Sequence, residues 1–363
     1  MLTRLDGGGT PAVTRTTFLG GLANPWDAAF TPDGAMLYTE RSRGLSVRLA
    51  DGVVRPLFTP GDLVVQAQSG MLGVALDPDF ANTRAVYAYM SSSAGGVADN
   101  RIVRFTVNAD YSAVSGRADI VTGISYVAGA HSGGRIRFGP DGYLYLTTGD
   151  NRTGSIPQDV RVLGGKVLRV DRNGSAAPGN DPPPGGDARL FTYGHRNPQG
   201  LAFRPGSGAP FLIEHGPNFQ DEVTPLRAGG NGGWDPLCAD RVGYCGYDNV
   251  TQMTDLVKFP TAMPPAWSTG NAVGSSRGTA GGAFVSGAQW RDWDGALVVA
   301  QLAGERLEVL RLTADGAGAT SAALLFDALG VRLRFVVQGP DGALYVGTDG
   351  RAGGDEIWRV TPQ

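Results

Sequence analysis

The sequence predicts an all-β fold, a six-bladed β-propeller built from four-stranded antiparallel blades. One hairpin pattern recurs six times along the chain, and the steps between its copies match the lengths of propeller blades. No helical periodicity long enough to compete with this pattern is present.

The repeated hairpin consists of an apolar strand, a Pro-Asp-Gly turn or a close variant of it, and a second apolar strand. Proline presets the first turn torsion, aspartate hydrogen-bonds to nearby backbone, and glycine adopts a positive φ. Alternating apolar residues on both sides predict half-buried strands. The copies span, in chain order, residues 28–40, 74–90, 136–148, 201–214, 290–300 and 335–348.

The spacing of these hairpins indicates how the chain is organised. Their turns are marked by Pro32, Pro78, Pro140, Pro205, Trp293 and Pro340, in steps of 46, 62, 65, 88 and 47 residues. A blade needs about 40 to 50 residues, so the short steps fit bare blades and the long steps fit blades with insertions. The sequence therefore predicts one propeller domain over residues 1–363, with the longest insertion at about 215–290. A β-sandwich does not predict six copies of one hairpin from end to end.

Composition and charge exclude several classes of partner. The 363 residues include 56 glycines and 23 prolines, with 42% hydrophobic residues, as expected of a folded chain rich in turns. The formal charge of −3 provides no basic surface for nucleic acid or anionic lipid. No apolar run reaches the roughly 20 residues of a membrane helix, so no membrane insertion is expected. A small, neutral or weakly charged partner fits best.

Two cysteines bear on the cellular compartment. Cys238 and Cys245 lie in a loop rich in Gly and Asp. A short disulfide is favoured there over two free thiols, although the sequence leaves both states open. A disulfide fits an oxidising compartment, so we expect a periplasmic or secreted protein. The segment Met1 to Gly20 lacks the charged start and apolar centre of a signal peptide, which fits a trimmed mature form. The absence of a nearby histidine or second Cys pair argues against zinc.

Candidate catalytic residues precede the repeated hairpins. In a propeller the first strand of each blade lines the channel, and the loops entering those strands meet over one face. His131, His195 and His215 all occur in such segments or at strand ends, although a structural role is the alternative for each. A neutral imidazole beside a carboxylate is a general base at neutral pH. Asp150 ends the hairpin that His131 precedes; it is either that carboxylate or a cap of the 149–154 turn.

Two further segments suit ligand binding. Arg196 and Asn197 offer a fixed cation and an amide for an anionic or carbonyl-bearing ligand. The segment 216–222 combines turn-like carbonyls with two carboxylates, which suits calcium, although its spacing matches no EF-hand. The phosphate-binding loop and the zinc-binding helix motif are absent from the sequence.

Taken together, several motifs resemble the soluble pyrroloquinoline-quinone-dependent sugar dehydrogenases, the glucose/sorbosone and aldose sugar dehydrogenase group. The resemblance runs in colinear order over nearly the whole chain, and Gly-His-Arg-Asn-Pro-Gln-Gly and Glu-His-Gly-Pro are its specific motifs. The matching segments are 24–34, 68–80, 131–150, 163–174, 193–203, 214–222, 229–236 and 332–342. The resemblance implies a six-bladed propeller and an oxidoreductase that converts aldoses to lactones and passes electrons to an external acceptor.

The resemblance also implies catalytic and substrate-binding roles. His131 corresponds to the general base that removes the proton of the sugar C1 hydroxyl while hydride passes to the quinone. Asp150 corresponds to the residue that orients this base. Arg196 lies near the reacting centre, and Gln68 corresponds to a residue beside the sugar, so the implied substrate-binding residues are Gln68, His131 and Arg196.

The implied cofactors are pyrroloquinoline quinone and Ca²⁺. Arg196 and Asn197 match the pair that contacts the quinone, and Arg332 and Arg334 match the arginines that clamp the cofactor carboxylates, for which bidentate guanidinium pairing is the physical reason. The implied metal ligands form two sets. The carbonyls of Gly216 and Pro217 would bind the calcium of the cofactor. The Glu222 carboxylate and the Gly232 carbonyl would bind a second, structural calcium.

The chain departs from the family pattern at two positions. Ala303 stands where the family usually has a cofactor-binding lysine, with Arg306 as a nearby substitute. Losing a charged hydrogen bond costs about 1.5 to 3 kcal/mol, or roughly one to two decades in affinity. Ala130 stands where glucose-specific members have aspartate, which indicates a broader range of aldoses. Two alternatives therefore remain: a sugar- or cofactor-binding propeller with lost catalysis, and a calcium-dependent propeller lactonase.

Overall fold

The computed structural model describes residues 9–350 and 353–363, and these residues form six sheets arranged as blades around a channel. The prediction of a six-bladed propeller is confirmed. Residues 1–8 and 351–352 of the predicted domain lie outside the described residues.

The strands follow the chain from blade to blade. Strand β1 is Val13–Leu22. Blade 1 contains β2 (Pro25–Phe30), β3 (Met36–Glu40), β4 (Gly44–Arg48) and β5 (Val54–Phe58). Blade 2 contains β6 (Met71–Leu76), β7 (Ala85–Ser92), β8 (Asp99–Val107) and β9 (Val114–Ile124). Blade 3 contains β10 (Gly133–Phe138), β11 (Leu144–Thr148), β12 (Lys166–Val170) and β13 (Leu190–Tyr193).

The second half of the ring contains the more irregular blades. Blade 4 contains β14 (Pro198–Phe203), β15 (Pro210–Glu214), β16 (Glu222–Pro225) and β18 (Trp267–Ser268). Between β16 and β18 the chain forms β17 (Gly230–Asn231), which pairs with blade 3. Blade 5 contains β19 (Thr279–Phe284), β20 (Leu297–Gln301), β21 (Arg306–Leu312) and β22 (Ala319–Leu325). Blade 6 contains β23 (Leu333–Gln338), β24 (Leu344–Thr348) and β25 (Asp355–Pro362), with β1 as its fourth strand. Three short helical segments occur among the described residues, namely α1 (Phe80–Thr83) and the 3-10 turns Ala288–Trp293 and Asp327–Leu329.

The ring closes through both its inner and its outer strands. Each first strand contacts the first strands of the two neighbouring blades, and β23 contacts β2 to complete the circle. Strand β1 pairs antiparallel with β25, from Val13 opposite Pro362 to Leu22 opposite Asp355. Five of the six described sheets have four strands as predicted, and blade 3 gains β17 as a short fifth strand in parallel pairing.

The Pro-Asp-Gly turns form the same structure in three blades. In blade 1 the amide of Gly34 donates to the carbonyl of Thr31 over 3.0 Å, and the φ of Gly34 is +85°. Gly142 and Gly342 repeat this bond at 2.9 Å, with φ of +79° and +76°. Because L residues rarely adopt these φ values, glycine is required there. All six predicted hairpin turns connect the first and second strands of a blade.

The fifth hairpin was predicted wrongly on its first side. Residues 290–293 form part of a 3-10 turn instead of a strand, and the first strand of that blade is β19. The reason is burial of two tryptophans in the core between blades 5 and 6: Trp290 and Trp293 are 0% and 1% exposed and stack with centroids 6.4 Å apart. The hairpin pattern predicted an apolar strand before this turn, but the two tryptophans that begin this copy fill the core beneath the turn.

The longest excursion from the ring lies between β16 and β19. In that excursion the described strands are only β17 and β18, and Cys238 and Cys245 form a disulfide, as favoured from the sequence. No helix in the described part of the chain is long and apolar enough to span a membrane.

Candidate active site

A cavity of about 290 Å³ opens at the end of the channel where the first strands begin. Gln68 and Arg332, in the loops that enter β6 and β23, line it together with Arg41 and Ala303, in the turns between second and third strands. Loops that enter the first strands thus meet over one face, where the sequence predicted a shared site.

A larger cavity, of about 420 Å³, lies at the opposite end of the inner strands. Its walls are mostly apolar, with Phe30, Phe138 and Phe203 among them, and they contain none of the predicted site residues. We therefore locate the candidate site by its polar groups and not by cavity size.

His131 and Asp150 form a buried pair at the two ends of one hairpin. His131 directly precedes the segment that leads into β10, Asp150 follows β11, and His131 Nδ1 lies 2.7 Å from Asp150 Oδ1. Their exposed fractions are 2% and 0%. A Cβ at position 149 would lie 1.7 Å from the carbonyl oxygen of His131, so only glycine allows the two segments to approach so closely. His131, Asn151 and Arg152 all have positive φ, a concentration of strained backbone typical of functional sites.

Asp150 is fixed by donors that sequence reasoning missed. Trp234 Nε1 donates to Asp150 Oδ2 over 2.8 Å, and the Tyr244 hydroxyl donates to the same oxygen over 3.1 Å. The amide of Arg152 donates to Oδ1 over 2.8 Å. Since Trp234 and Tyr244 belong to the excursion after β16, no local pattern indicated their contact with Asp150.

The environment keeps His131 uncharged. Burial lowers its pKa to about 4, and the Arg196 guanidinium adds to this effect, although Asp150 opposes it. For Asp150, burial raises the pKa, but His131 and Arg196 outweigh burial and the pKa is lowered overall. At neutral pH the pair is therefore an imidazole with its Nδ1 hydrogen held by a carboxylate, which leaves Nε2 free to accept a proton.

Arg196 reaches the same point from the segment that enters β14. Its Nη1 donates to the carbonyl of His215 over 2.8 Å, and its Nη2 donates to the Tyr247 hydroxyl over 2.6 Å. That hydroxyl lies 3.1 Å from His131 Nε2, so Tyr247 bridges the two predicted catalytic groups. Arg196 is 2% exposed and its Nε is buried without a hydrogen-bond partner among the described residues.

Asn197 and Gln68 lie side by side next to this cluster. Asn197 Nδ2 lies 3.4 Å from Gln68 Oε1, and Asn197 Oδ1 accepts from the amide of Gly133 over 3.2 Å. Gln68 lines the cavity, as does His215. The structure thus gathers His131, Asp150, Arg196, Asn197 and Gln68 in one neighbourhood.

His195 has a structural position. Its Nε2 lies 2.8 Å from Thr192 Oγ1 and its Nδ1 lies 3.0 Å from Glu214 Oε2, with 1% of the residue exposed. Both ring nitrogens are occupied by partners outside the cavity. Glu214 also accepts from the amides of Arg196 and Asn197, so His195 helps to hold the carboxylate that positions this segment.

The predicted metal ligands fall into two groups. Gly216 and Pro217 are buried, and within the described chain no donor hydrogen-bonds to their carbonyl oxygens. Thr254 Oγ1 lies 2.8 Å from Glu222 Oε2 and 3.0 Å from the Gly232 carbonyl, so Glu222 and Gly232 meet at one place. Burial raises the pKa of Glu222 well above its usual range. In the part of the chain that the structure describes, His, Cys, Asp and Glu side chains form no cluster of three that could hold a metal.

The two arginines of blade 6 differ in their pairing. Arg334 is 7% exposed; its Nε donates to Asp349 Oδ2 over 3.0 Å and its Nη1 donates to Gln199 Oε1 over 2.6 Å. Arg332 is exposed, and its guanidinium has no partner among the described residues. Both line the cavity.

Ala303 forms part of the cavity wall, whereas Arg306 does not line it. Arg306 Nε donates to Gln301 Oε1 over 2.8 Å and its guanidinium lies 3.7 Å from Glu308. Arg306 is therefore engaged within blade 5, and its suggested substitution for the missing lysine has no support in the structure.

Comparison with known proteins points to a single family. The sequence profile described as glucose/sorbosone dehydrogenase matches residues 22–359. The aldose sugar dehydrogenase YliI of Escherichia coli is 32% identical over 349 residues, covering 94% of this chain and 91% of that protein. Quinoprotein glucose dehydrogenase B of Acinetobacter calcoaceticus is 32% identical over 261 residues, covering 63% of this chain and 54% of that protein.

Solved structures give the same result. The soluble aldose sugar dehydrogenase of Escherichia coli in its apo-form is 29% identical with a TM-score of 0.83, over 97% of this chain and 100% of that one. The PQQ-bound aldose sugar dehydrogenase of Streptomyces coelicolor is 30% identical with a TM-score of 0.77, over 98% of this chain and 100% of that one.

Proposed function

The chain belongs to the glucose/sorbosone dehydrogenase family, and on this premise we propose that it is a quinoprotein aldose dehydrogenase. The proposed reaction oxidises the C1 hydroxyl of an aldose to a lactone, with pyrroloquinoline quinone as the first acceptor and an external compound as the final one. The observation that carries the proposal is the buried His131–Asp150 pair, 2.7 Å apart and linked to Arg196 through the Tyr247 hydroxyl.

His131 is the proposed general base. Its Nε2 is unprotonated because Asp150 accepts the hydrogen of Nδ1, so Nε2 takes the proton of the sugar C1 hydroxyl. The Asp150 carboxylate then stabilises the imidazolium that forms and keeps the ring in one tautomer. Pyrroloquinoline quinone, when bound, accepts the hydride equivalent that leaves sugar C1, and the external acceptor takes these electrons afterwards.

Arg196 is the proposed electrostatic partner of the reacting oxygen. Its Nη2 already donates to a hydroxyl that lies 3.1 Å from His131 Nε2, so both groups can address one hydroxyl at once. A fixed guanidinium stabilises negative charge that develops on that oxygen as its proton leaves. Gln68 and Asn197, adjacent to this point, are the proposed polar contacts of the sugar and of the quinone, respectively.

The cavity lining suits a polycarboxylate cofactor, and the two residues that follow the lining residue His215 suit its cation. Arg332 and Arg334 supply guanidinium groups to the wall, and carboxylates are their preferred planar partners. The buried carbonyl oxygens of Gly216 and Pro217 lack donors among the described residues, and calcium binds such oxygens. We propose that these carbonyls hold the cofactor Ca²⁺, and that Glu222 and Gly232 contribute to a second site.

Ala303 favours a second candidate, a binding propeller that has lost catalysis. The methyl group in the cavity wall replaces a cation at a place where the family usually has lysine. This candidate predicts sugar or cofactor binding without turnover, so one experiment separates the two functions.

The test reconstitutes the purified protein with Ca²⁺ and pyrroloquinoline quinone and follows reduction of an artificial dye with a panel of aldoses. We expect aldose-dependent reduction in the wild type, and a loss of about 10²- to 10⁴-fold in His131→Ala. Asp150→Asn keeps the size of the side chain but removes the charge, and it is expected to lower kcat more than it raises KM. Absence of dye reduction with every aldose at saturating quinone would contradict the proposed function.

The disulfide bears on the cellular compartment of the protein. Because Cys238–Cys245 persists only where thiols are oxidised, we propose that the protein functions in the periplasm or outside the cell.

A further inference from the structure

The cavity holds more positive than negative charge. Arg41, Arg332 and Arg334 line it, whereas Asp349 is the one carboxylate among the described lining residues. Asp349 is already engaged, since it accepts from Arg334 and from Asn24 Nδ2, the latter over 2.6 Å. Arg41 and Arg332 therefore face the cavity with no carboxylate at ion-pair distance among the described residues.

Arg41 is held rigidly at this wall by its backbone. In the turn after β3, its amide donates to the carbonyl of Asn24 over 3.3 Å, and its carbonyl accepts from the amide of Met71 over 3.0 Å. A Cβ at position 70 would lie 2.3 Å from the Arg41 carbonyl, so Gly70 permits this approach.

The Arg41 side chain is only partly satisfied. Its Nη1 donates to the carbonyl of Ala67, whereas its Nε is buried without a partner among the described residues. Burial lowers the pKa of Arg41, and the neighbouring Arg334 and Arg332 add to this effect against the opposing Asp349 and Asp355. An anionic ligand would relieve both the unmet hydrogen bond and the repulsion between the guanidinium groups.

We propose that Arg41 binds a carboxylate of the cofactor and provides the cation that Ala303 does not. This inference rests on the proposed function. It explains how a cavity without the usual lysine can retain a polycarboxylate quinone, because the charge is supplied from blade 1 instead of blade 5.

The test is a titration of the apo-protein with pyrroloquinoline quinone in the presence of Ca²⁺, followed by tryptophan fluorescence. We expect Arg41→Gln to weaken binding about tenfold to a hundredfold and to reduce its salt dependence. Arg43→Gln is the matched control: Arg43 lies in the same turn, pairs with Glu40 over 3.1 Å and does not line the cavity, so its affinity should equal that of the wild type.

A rescue distinguishes charge from structure. Ala303→Lys added to Arg41→Gln should recover most of the lost affinity if the missing quantity is a cation. Unchanged binding in Arg41→Gln, or no recovery in the double variant, would overturn the role of Arg41 while leaving the proposed function intact. Failure of the wild type to bind the quinone would overturn both.

A separate observation concerns Tyr247, two residues after the disulfide-bonded Cys245. The Tyr247 hydroxyl lies 3.1 Å from His131 Nε2 and 2.6 Å from Arg196 Nη2, and the Arg196 guanidinium lies 5.1 Å from the ring centroid. The hydroxyl thus donates to the base and accepts from the cation, which are the two contacts that a sugar hydroxyl needs for the proposed reaction.

With Tyr247 in this place, His131 is 2% exposed and cannot be reached by a sugar. Tyr247 itself is 38% exposed, so it forms the outer cover of the base. We infer that the Tyr247 hydroxyl occupies the position of the substrate hydroxyl, and that a sugar binds by displacing it. That the displacing molecule is a sugar rests on the proposed function, whereas the occlusion of His131 by Tyr247 does not.

Modification with diethyl pyrocarbonate tests the occlusion without sugar or cofactor, because the reagent acylates neutral imidazoles and the three histidines are separable by peptide mass spectrometry. In the wild type, His131 and the 1% exposed His195 should react slowly, and His215, with 26% of its side chain exposed, should react fast. Tyr247→Phe and Tyr247→Ala should accelerate His131 selectively, by about tenfold or more for the alanine variant. His195 remains the control for global unfolding. Fast reaction of His131 in the wild type, or slow reaction in the alanine variant, would overturn the inference.

Discussion

The two ring nitrogens of His131 are used for different purposes, and this division sets its chemistry. Nδ1 lies 2.7 Å from a carboxylate that three further donors hold in place, whereas Nε2 faces the Tyr247 hydroxyl and Arg152 Nε, at 3.1 and 3.4 Å. Burial and Arg196 disfavour the charged ring. The residue is therefore a neutral base whose orientation is fixed before any ligand arrives.

The lowered pKa of His131 gives a pH prediction. The NMR titration of its imidazole should have a midpoint near 4 and not near the ordinary 6.5. Between these values the unfolded chain binds the extra proton, so this residue makes the free energy of unfolding rise with pH from about 4 to 6.5. His131→Asn should flatten the stability profile in that window. A midpoint near 6.5, or an unchanged profile, would contradict the described environment.

At the scale of elements, the hairpin β10–β11 explains why the pair meets. His131 enters the hairpin and Asp150 leaves it, so the pairing of Gly133 with Thr148 draws their backbones together. Gly149 makes the contact possible, because a side chain there would overlap the His131 carbonyl. The loop closed by the disulfide then supplies Tyr244 to Asp150, and the segment just after that loop supplies Tyr247 to His131.

Gly149→Ala is predicted to separate the pair. Its Cβ would lie 1.7 Å from a backbone oxygen, so the His131 segment must shift, and both thermal stability and dye-reducing activity should fall. Gly61→Ala is the control, since a Cβ there meets nothing within 4 Å, and it should match the wild type in both measurements. Wild-type behaviour of Gly149→Ala in calorimetry and in the activity assay would show that the close approach is unimportant.

At the scale of the whole molecule, the ring is closed by β1, which pairs with β25 across the two ends of the described chain. Each core cluster spans neighbouring blades, as with Trp290 and Trp293 between blades 5 and 6. We propose that the chain unfolds as one cooperative domain, because no blade buries its faces alone. Calorimetry should show a single transition, and deletion of residues 1–22 should lower its temperature markedly. Two separated transitions, or an unchanged one after deletion, would contradict this proposal.

Features encoded by local repetition were predictable from the sequence, and features made by distant loops were not. The Pro-Asp-Gly turns and their variants identified the turns of all six hairpins, although the first side of the fifth was wrong. The chain positions of His131 and Asp150, at the two ends of one hairpin, indicated that the two could pair. The strand expected on the first side of the fifth hairpin is a 3-10 turn, because Trp290 and Trp293 are buried in the core between blades 5 and 6. Tyr247 contacts His131 from 116 residues away, and Arg41 reaches the cavity through a turn with no distinguishing motif.

In the proposed reaction His131 takes the proton of the sugar C1 hydroxyl, and the quinone would accept the hydride that leaves C1. The most direct measurement compares an aldose carrying deuterium at C1 with the ordinary sugar in single turnovers of the quinone- and Ca²⁺-loaded protein. We predict slower oxidation of the deuterated sugar, because the C1–H bond breaks as His131 takes the hydroxyl proton, and turnover about 10²- to 10⁴-fold slower in His131→Ala. Equal rates for the two sugars in every accessible single-turnover phase, or undiminished turnover in His131→Ala, would contradict the account.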